Sequence, residues 1–169
     1  PYLTKYYDNT IVGYSYSKSL SLPGDRIGYL VMPDTLDGYE QIREGAAIAN
    51  RILGFVNAPG LQQRIAALCC DETTDIAYYN TNRELLYSGL KELGFRCIKP
   101  QGAFYLFVKS PIADEKAFCE VAKKYHILVV AGSGFGCPGY FRIAYCVAKE
   151  TIERSLPAFR KLAEEFHLV

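Results

Sequence analysis

Hydrophobic positions along the chain change their period several times, and each change predicts an element. Residues 10–17, Thr-Ile-Val-Gly-Tyr-Ser-Tyr-Ser, alternate β-branched, aromatic and small side chains and predict a strand. Leu22-Pro23-Gly24-Asp25 predicts a turn, and residues 27–32, Ile-Gly-Tyr-Leu-Val-Met, predict a second, apolar and buried strand that stops at Pro33. From 35 to 54 the positions Leu36, Tyr39, Ile42, Ala46, Ile48, Ala49, Ile52 and Leu53 follow helical spacing, with Gly45 a weak point. A shorter helix is expected over 60–70. Thr74-Asp75 offers an N-cap for a long helix whose stripe runs through Ile76, Tyr79, Leu86, Leu90 and Leu93 and which Gly94 stops. Beyond it the texture predicts strands at 95–99 and 103–108, a helix over 114–125, strands at 127–130 and 140–146, and a closing helix over 149–166.

This order predicts an α/β chain whose second half is α+β. The boundary is expected near 71–75, giving one unit over 1–73 and a compact second unit over 74–169, with the helix from Asp75 as the lever between them. No repeat or low-complexity tract interrupts the pattern.

Composition narrows the classes. Half the 169 residues are hydrophobic and 22% are charged, an ordinary globular balance with enough apolar material for one sizeable core. With 19 basic against 18 acidic residues and no Lys/Arg stripe, nucleic acid is not an expected partner. No apolar run approaches the roughly 20 residues that cross a bilayer, and no basic-then-apolar leader is seen, so no membrane association and a cytoplasmic location are expected. The six cysteines show no C-x-x-C spacing and predict reduced, mostly buried thiols. With only His126 and His167, no metal site and no Ser-His relay are expected.

Candidate chemistry gathers around Lys18. A lysine between two β-patterned stretches suits carbonyl chemistry, because its neutral amine attacks aldehydes and ketones to form Schiff bases. Hydroxyls at Ser15, Ser17, Ser19 and Ser21 and the guanidinium of Arg26 suit an anionic group such as a phosphate. Together they suggest a phosphorylated aldehyde. On composition alone a Ser/Lys-rich loop with a solvated lysine is the commoner reading. Arg142, inside the apolar run Tyr140-Phe141-Arg142-Ile143-Ala144-Tyr145-Cys146, poses a similar choice. A planar guanidinium is the best side chain for gripping a carboxylate bidentately. On its residues alone, an edge-strand arginine that snorkels to water or pairs with Glu150 or Glu153 is the commoner reading.

The combined pattern resembles the lysine signature of the class I and II aminotransferases of the fold-type I pyridoxal-phosphate family. That signature, Ser-x-Ser-Lys followed by a Gly-x-Arg-x-Gly core, stands here as Ser15-Tyr16-Ser17-Lys18 and Gly24-Asp25-Arg26-Ile27-Gly28. The resemblance continues through Gln101-Gly102-Ala103-Phe104-Tyr105-Leu106-Phe107, the glycine-rich Ala131-Gly132-Ser133-Gly134-Phe135-Gly136, and the strand bearing Arg142. It implies that Lys18 forms the Schiff base with pyridoxal 5'-phosphate, that Ser15 and Arg26 grip its phosphate with Ser17 a weaker candidate, and that Arg142 clamps the substrate carboxylate. It further implies a homodimeric enzyme that moves an amino group between an α-amino acid and a 2-oxo acid.

The family's lysine lies well past the middle of a longer chain, whereas this sequence opens at Pro1-Tyr2 without methionine and reaches its lysine at 18. A C-terminal portion of a larger protein is therefore expected, with 1–73 the remnant of the large cofactor-binding domain and 74–169 the small domain. The Asp, Asn and Tyr that contact the cofactor ring in this family would then lie upstream; Asp8 does not match that Asp. The isolated portion is expected to be inactive and to expose apolar surface. Two other readings are a carbon–sulfur lyase or cyclopropane-carboxylate synthase of the same fold, the latter kept by Leu22-Pro23-Gly24, and a non-catalytic folding and assembly module.

Overall fold

The structure, a computed structural model, describes residues 2–169 and divides into two compact units, one ending at Thr74 and one beginning at Asp75. Pro1 lies outside the described residues. Within the described residues no helix is long and apolar enough to cross a membrane.

In the first unit, β1 (Val12–Ser15) pairs antiparallel with β2 (Gly28–Val31) in the register Val12↔Val31 to Ser15↔Gly28. The strand expected over 10–17 is cut short because Ser15 caps a single helical turn, α1 (Tyr16–Ser19), by accepting from the Ser17 N–H. β2 is also not the buried strand expected: Tyr29, Leu30 and Val31 are 44, 58 and 43% exposed, since only β1 pairs with it. Gly38, at φ +69, leads into α2 (Tyr39–Ile52), an amphipathic helix none of whose residues is buried. After Pro59 comes α3 (Gly60–Leu68). The unit's buried apolar residues are Ile27, Leu36 and Ala66, which agrees with the expectation of exposed apolar surface.

The second unit holds the core. Asp75 caps α4 (Ile76–Glu92) by accepting from the Tyr78 N–H at 2.9 Å, and Gly94 at φ +78 ends the helix in the left-handed region. The sheet comprises β3 (Tyr105–Lys109), β4 (Val130–Ala131) and β5 (Tyr140–Ala144), all antiparallel, with β5 in the middle. Between β3 and β4 runs α5 (Glu115–Lys123), and α6 (Lys149–Glu165) closes the chain. Residues 95–99 do not form the strand expected: Phe95 turns into the core and only Cys97 bridges to Val108.

Burial explains the order of these elements. Phe118 of α5 and Phe141 of β5 are fully enclosed with ring centroids 4.6 Å apart, and Phe95 meets both edge-on, as it does Phe159 of α6. Leu86, Leu90, Leu162 and Ala163 join α4 to α6 beneath them. The two helices approach at Gly89, where an added Cβ would stand 2.6 Å from the Leu156 side chain. Pro157 sits inside α6 and removes one N–H from its ladder. Asn82, fully buried on α4, donates to the carbonyls of Tyr145 and Val147 at 3.1 and 2.8 Å, tying the chain after β5 to that helix.

Six free cysteines accompany this packing, but only Cys119 is buried, so the expectation of mostly buried thiols does not hold. Burial pushes the Cys119 and Cys97 thiols up from their ordinary range.

Phe118→Ala is expected to cost about 3–5 kcal/mol in a denaturant titration, the range for truncating an enclosed aromatic. By contrast Ile48→Ser, on the exposed face of α2, should stay within about 0.5 kcal/mol of the parent chain.

Candidate functional site

Four of the five candidate residues share one end of the β1–β2 hairpin. Register Ser15↔Gly28 is extended by the Tyr16 N–H donating to the Ile27 carbonyl at 3.2 Å, which brings α1 and the 23–26 turn together at that end. Gly28 is required there, because a Cβ would lie 2.3 Å from the Tyr14 carbonyl oxygen. The Ser15 hydroxyl donates to the Ser17 hydroxyl at 3.0 Å while accepting from the Ser17 N–H at 3.2 Å. Lys18 follows in the same turn and is exposed, not desolvated between strands as a buried amine would be.

Arg26 is held in an uncommon way. Its φ of +50 places a non-glycine residue in the left-handed region, which costs on the order of 1 kcal/mol, and its guanidinium donates to the Pro23 carbonyl at 2.7 Å. The bond closes the turn over Gly24, whose added Cβ would meet nothing. It uses only part of the planar fork of donors, so the cation keeps N–H groups for an anion. The Ser19 hydroxyl, in the same turn as Lys18, is buried and has no hydrogen-bond partner among the described residues.

Arg142 belongs to the second unit. It lies on β5, the central strand, between Phe107 of β3 and Val130 of β4 in register, so it is not an edge-strand arginine. Alternation along the strand explains its direction: its neighbour Phe141 is enclosed in the core, and Arg142 therefore faces away from it. Its guanidinium carbon stands 4.2 Å from the Tyr105 ring centroid and 3.7 Å from that of Phe135. Among the described residues no carboxylate pairs with it; Glu153 pairs instead with Lys149 at 3.3 Å. Two aromatic faces attract the cation without occupying its N–H donors, each worth about 0.5–2 kcal/mol.

Phe135 stands on the loop from Gly132 to Gly139, and that loop is fastened to Glu115. Gly132 is too crowded for a side chain, with the Cys137 and Tyr140 carbonyl oxygens 2.2 and 2.7 Å from a built Cβ. Gly136 and Gly139 take φ +69 and +77, so the reversal is drawn through glycines. At its far end the Gly139 N–H donates to the Glu115 carboxylate at 3.1 Å and its carbonyl accepts from the Ser110 N–H at 2.9 Å. Hydrogen bonding from Ser133, then from the Gly139 N–H and Glu115's own N–H, holds the buried Glu115 carboxyl below the usual carboxylate range.

Sequence reasoning passed over Tyr105, Phe135 and Glu115. The first two lay inside stretches whose order was informative, yet ring stacking on Arg142 depends on strand register that spacing does not give. Glu115, directly after the Asp114 N-cap, looks in sequence like any acid in a first helical turn.

The chain belongs to the class I and II aminotransferase family: the family's model matches residues 2–159. An aromatic-amino-acid aminotransferase from Thermococcus litoralis is 29% identical over 96% of this chain and 43% of its own length. A probable aspartate aminotransferase from Methanocaldococcus jannaschii is 32% identical over 93% of the chain and 44% of its own. Among solved structures, an aminotransferase from Eubacterium rectale superposes with a TM-score of 0.86 at 52% identity, over 98% of this chain and 42% of that one. A mutant of Thermus thermophilus aspartate aminotransferase superposes with a TM-score of 0.74 at 26% identity. The chain thus spans a little over two-fifths of the length of the relatives it matches, and its fold is that of the corresponding part of these enzymes.

A depressed carboxyl stabilises the fold above the unfolded pKa of about 4.3 and ceases to do so as pH falls through its lower folded value. Glu115→Gln is therefore expected to lower the denaturant midpoint at pH 7. The gap between variant and parent should narrow once pH drops below about 4.

Proposed function

We propose that this chain is the C-terminal part of a pyridoxal-phosphate-dependent aminotransferase that moves an amino group between an α-amino acid and a 2-oxo acid. In this reading residues 1–73 come from the large cofactor-binding domain, residues 74–169 form the small domain including α4, and the whole enzyme is a cytoplasmic homodimer. The observation that carries it is the hairpin end that bears a lysine amine and serine hydroxyls on α1 and an arginine on the adjoining 23–26 turn. Family membership supports the reading, and so do the names of the relatives, which are aminotransferases rather than lyases or cyclopropane-carboxylate synthases.

The residues present fit pyridoxal phosphate. Ser15, Ser17 and Arg26 supply neutral and cationic donors for a phosphate, and Lys18 supplies an amine for an aldehyde. The unpartnered Ser19 hydroxyl adds a polar group at the same turn. When bound, the cofactor supplies the electron sink that makes the substrate Cα acidic. Lys18 would hold it through its amine and, as a free amine, would move the proton at the substrate Cα. Arg142 binds the substrate carboxylate through the donors that its two aromatic neighbours leave open. Groups from outside this chain complete the cofactor ring's contacts and the side-chain pocket.

In the full-length protein Lys18→Ala should abolish both turnover and the cofactor's lysine-bound visible absorbance; survival of both would remove Lys18 from this role. The 169-residue chain alone should show no transamination with aspartate, alanine or aromatic donors and 2-oxoglutarate. A stable yellow complex that turns over would refute the view that the site is incomplete.

A further inference from the structure

The Arg142 guanidinium has two ring neighbours of different kinds. Tyr105 is on β3, two residues along from the position that pairs with Arg142, and is fixed by the sheet. Phe135 is 47% exposed on a glycine-bounded loop and meets Phe107 of β3 edge-on with ring centroids 6.3 Å apart, so packing holds its ring only in part. The rest of its hold comes from the loop's attachments. Near Gly132 the loop is closed by the Cys137 N–H donating to the Gly132 carbonyl at 3.0 Å, and at Gly139 it is bound to Glu115 and Ser110. Glu115 is only 7% exposed and begins the helix whose Phe118, Cys119 and Ala122 are buried in the core, so its backbone has little freedom.

We propose that Glu115 is a positioning residue for the carboxylate clamp, holding the 132–139 loop so that Phe135 stacks on the Arg142 guanidinium. The proposal rests on the reading of Arg142 as the clamp, but it concerns a different link. Among the described residues Glu115 bonds to the loop at Gly139 and forms no ion pair with Arg142. That separation suits the purpose. A carboxylate placed directly on Arg142 would occupy the donors meant for the substrate, whereas two rings fix the guanidinium plane and leave its N–H edge open. The negative charge that orders the site is spent on a backbone donor of the loop, and the cation keeps its full charge for an incoming carboxylate.

The test reads Arg142 itself, in the 169-residue chain, by its rate of modification with butane-2,3-dione followed by peptide mass spectrometry. Phe135→Ala should raise that rate about three- to ten-fold, the span expected for losing one stacking contact on a partly desolvated guanidinium. Glu115→Ala should raise it by a similar factor, and the double variant should be no faster than Phe135→Ala alone, because both changes remove the same contact. Phe135→Tyr should keep the parent rate. Arg160, exposed on α6, serves as the internal control and should not change. If Glu115→Ala does not fold, Glu115→Gln removes the charge that the Gly139 N–H is bound to and should shift Arg142 in the same direction by a smaller factor. Equal Arg142 rates in the parent and in folded Glu115→Ala or Glu115→Gln would overturn the proposal, as would additive effects in the double variant. Succinate tests the clamp separately: it should slow Arg142 modification in the parent chain. Failure there alone would sink the carboxylate reading, while the variant rates would still decide the role of Glu115.

Discussion

Enclosure of Phe141 is the constraint on which the second unit depends. Its ring fills the space between α5 and the sheet, in contact with Phe118 and Phe95, and it sits on the one strand that both other strands pair with. Because side chains alternate along a strand, fixing Phe141 inward fixes Arg142 outward. The hydrophobic core and the candidate substrate contact are thus two faces of one strand. A slip of one residue in the β3–β5 register would bury the cation and expose the ring, at the cost of an unpaired charge in the core. Stability and site geometry are protected by the same packing.

The first unit is organised differently. Its hairpin is held by local devices, the Ser15 cap, the side-chain-free approach at Gly28 and the closure of Arg26 onto Pro23, and hardly by a core. Tyr14, Tyr16 and Tyr29 cluster on its surface with ring centroids 5.1 to 5.7 Å apart, and α2 presents Ile48 and Ile52 to solvent. Such a unit positions chemistry through turn geometry, which short-range sequence encodes densely. The second unit positions it through long-range pairing.

That contrast explains what was legible in the sequence. Helices α2 to α6 and the hairpin could be read from period and punctuation, since Asp75, Gly94 and Pro59 act within a few residues of where they stand. The Ser15–Arg26 group stood out through its resemblance to a family signature, since by its residues alone a solvated Ser/Lys-rich loop was the commoner reading. The burial of β2 was misjudged because an apolar run records what a strand could bury and not what covers it. Residues 95–99 misled in a similar way: an apolar pair beside Gly94 served the core through Phe95 instead of a ladder. The stacking partners of Arg142 and the anchoring of the Phe135 loop by Glu115 depend on contacts across 7 to 37 residues of chain, which no local pattern records.

The missing side chain at Gly89 has a mechanical meaning. Where two helices meet through bulky residues, neighbouring settings a few ångströms apart differ little, and one helix can creep along the other. Here Leu156 drops into the gap left by Gly89, and sliding α4 along α6 in either direction would drive it against a side chain of the adjoining turn. The pair behaves like a shaft seated in a notch. Whatever motions this unit undergoes, α4 and α6 travel as one piece, and the flexibility has to be found elsewhere in the chain.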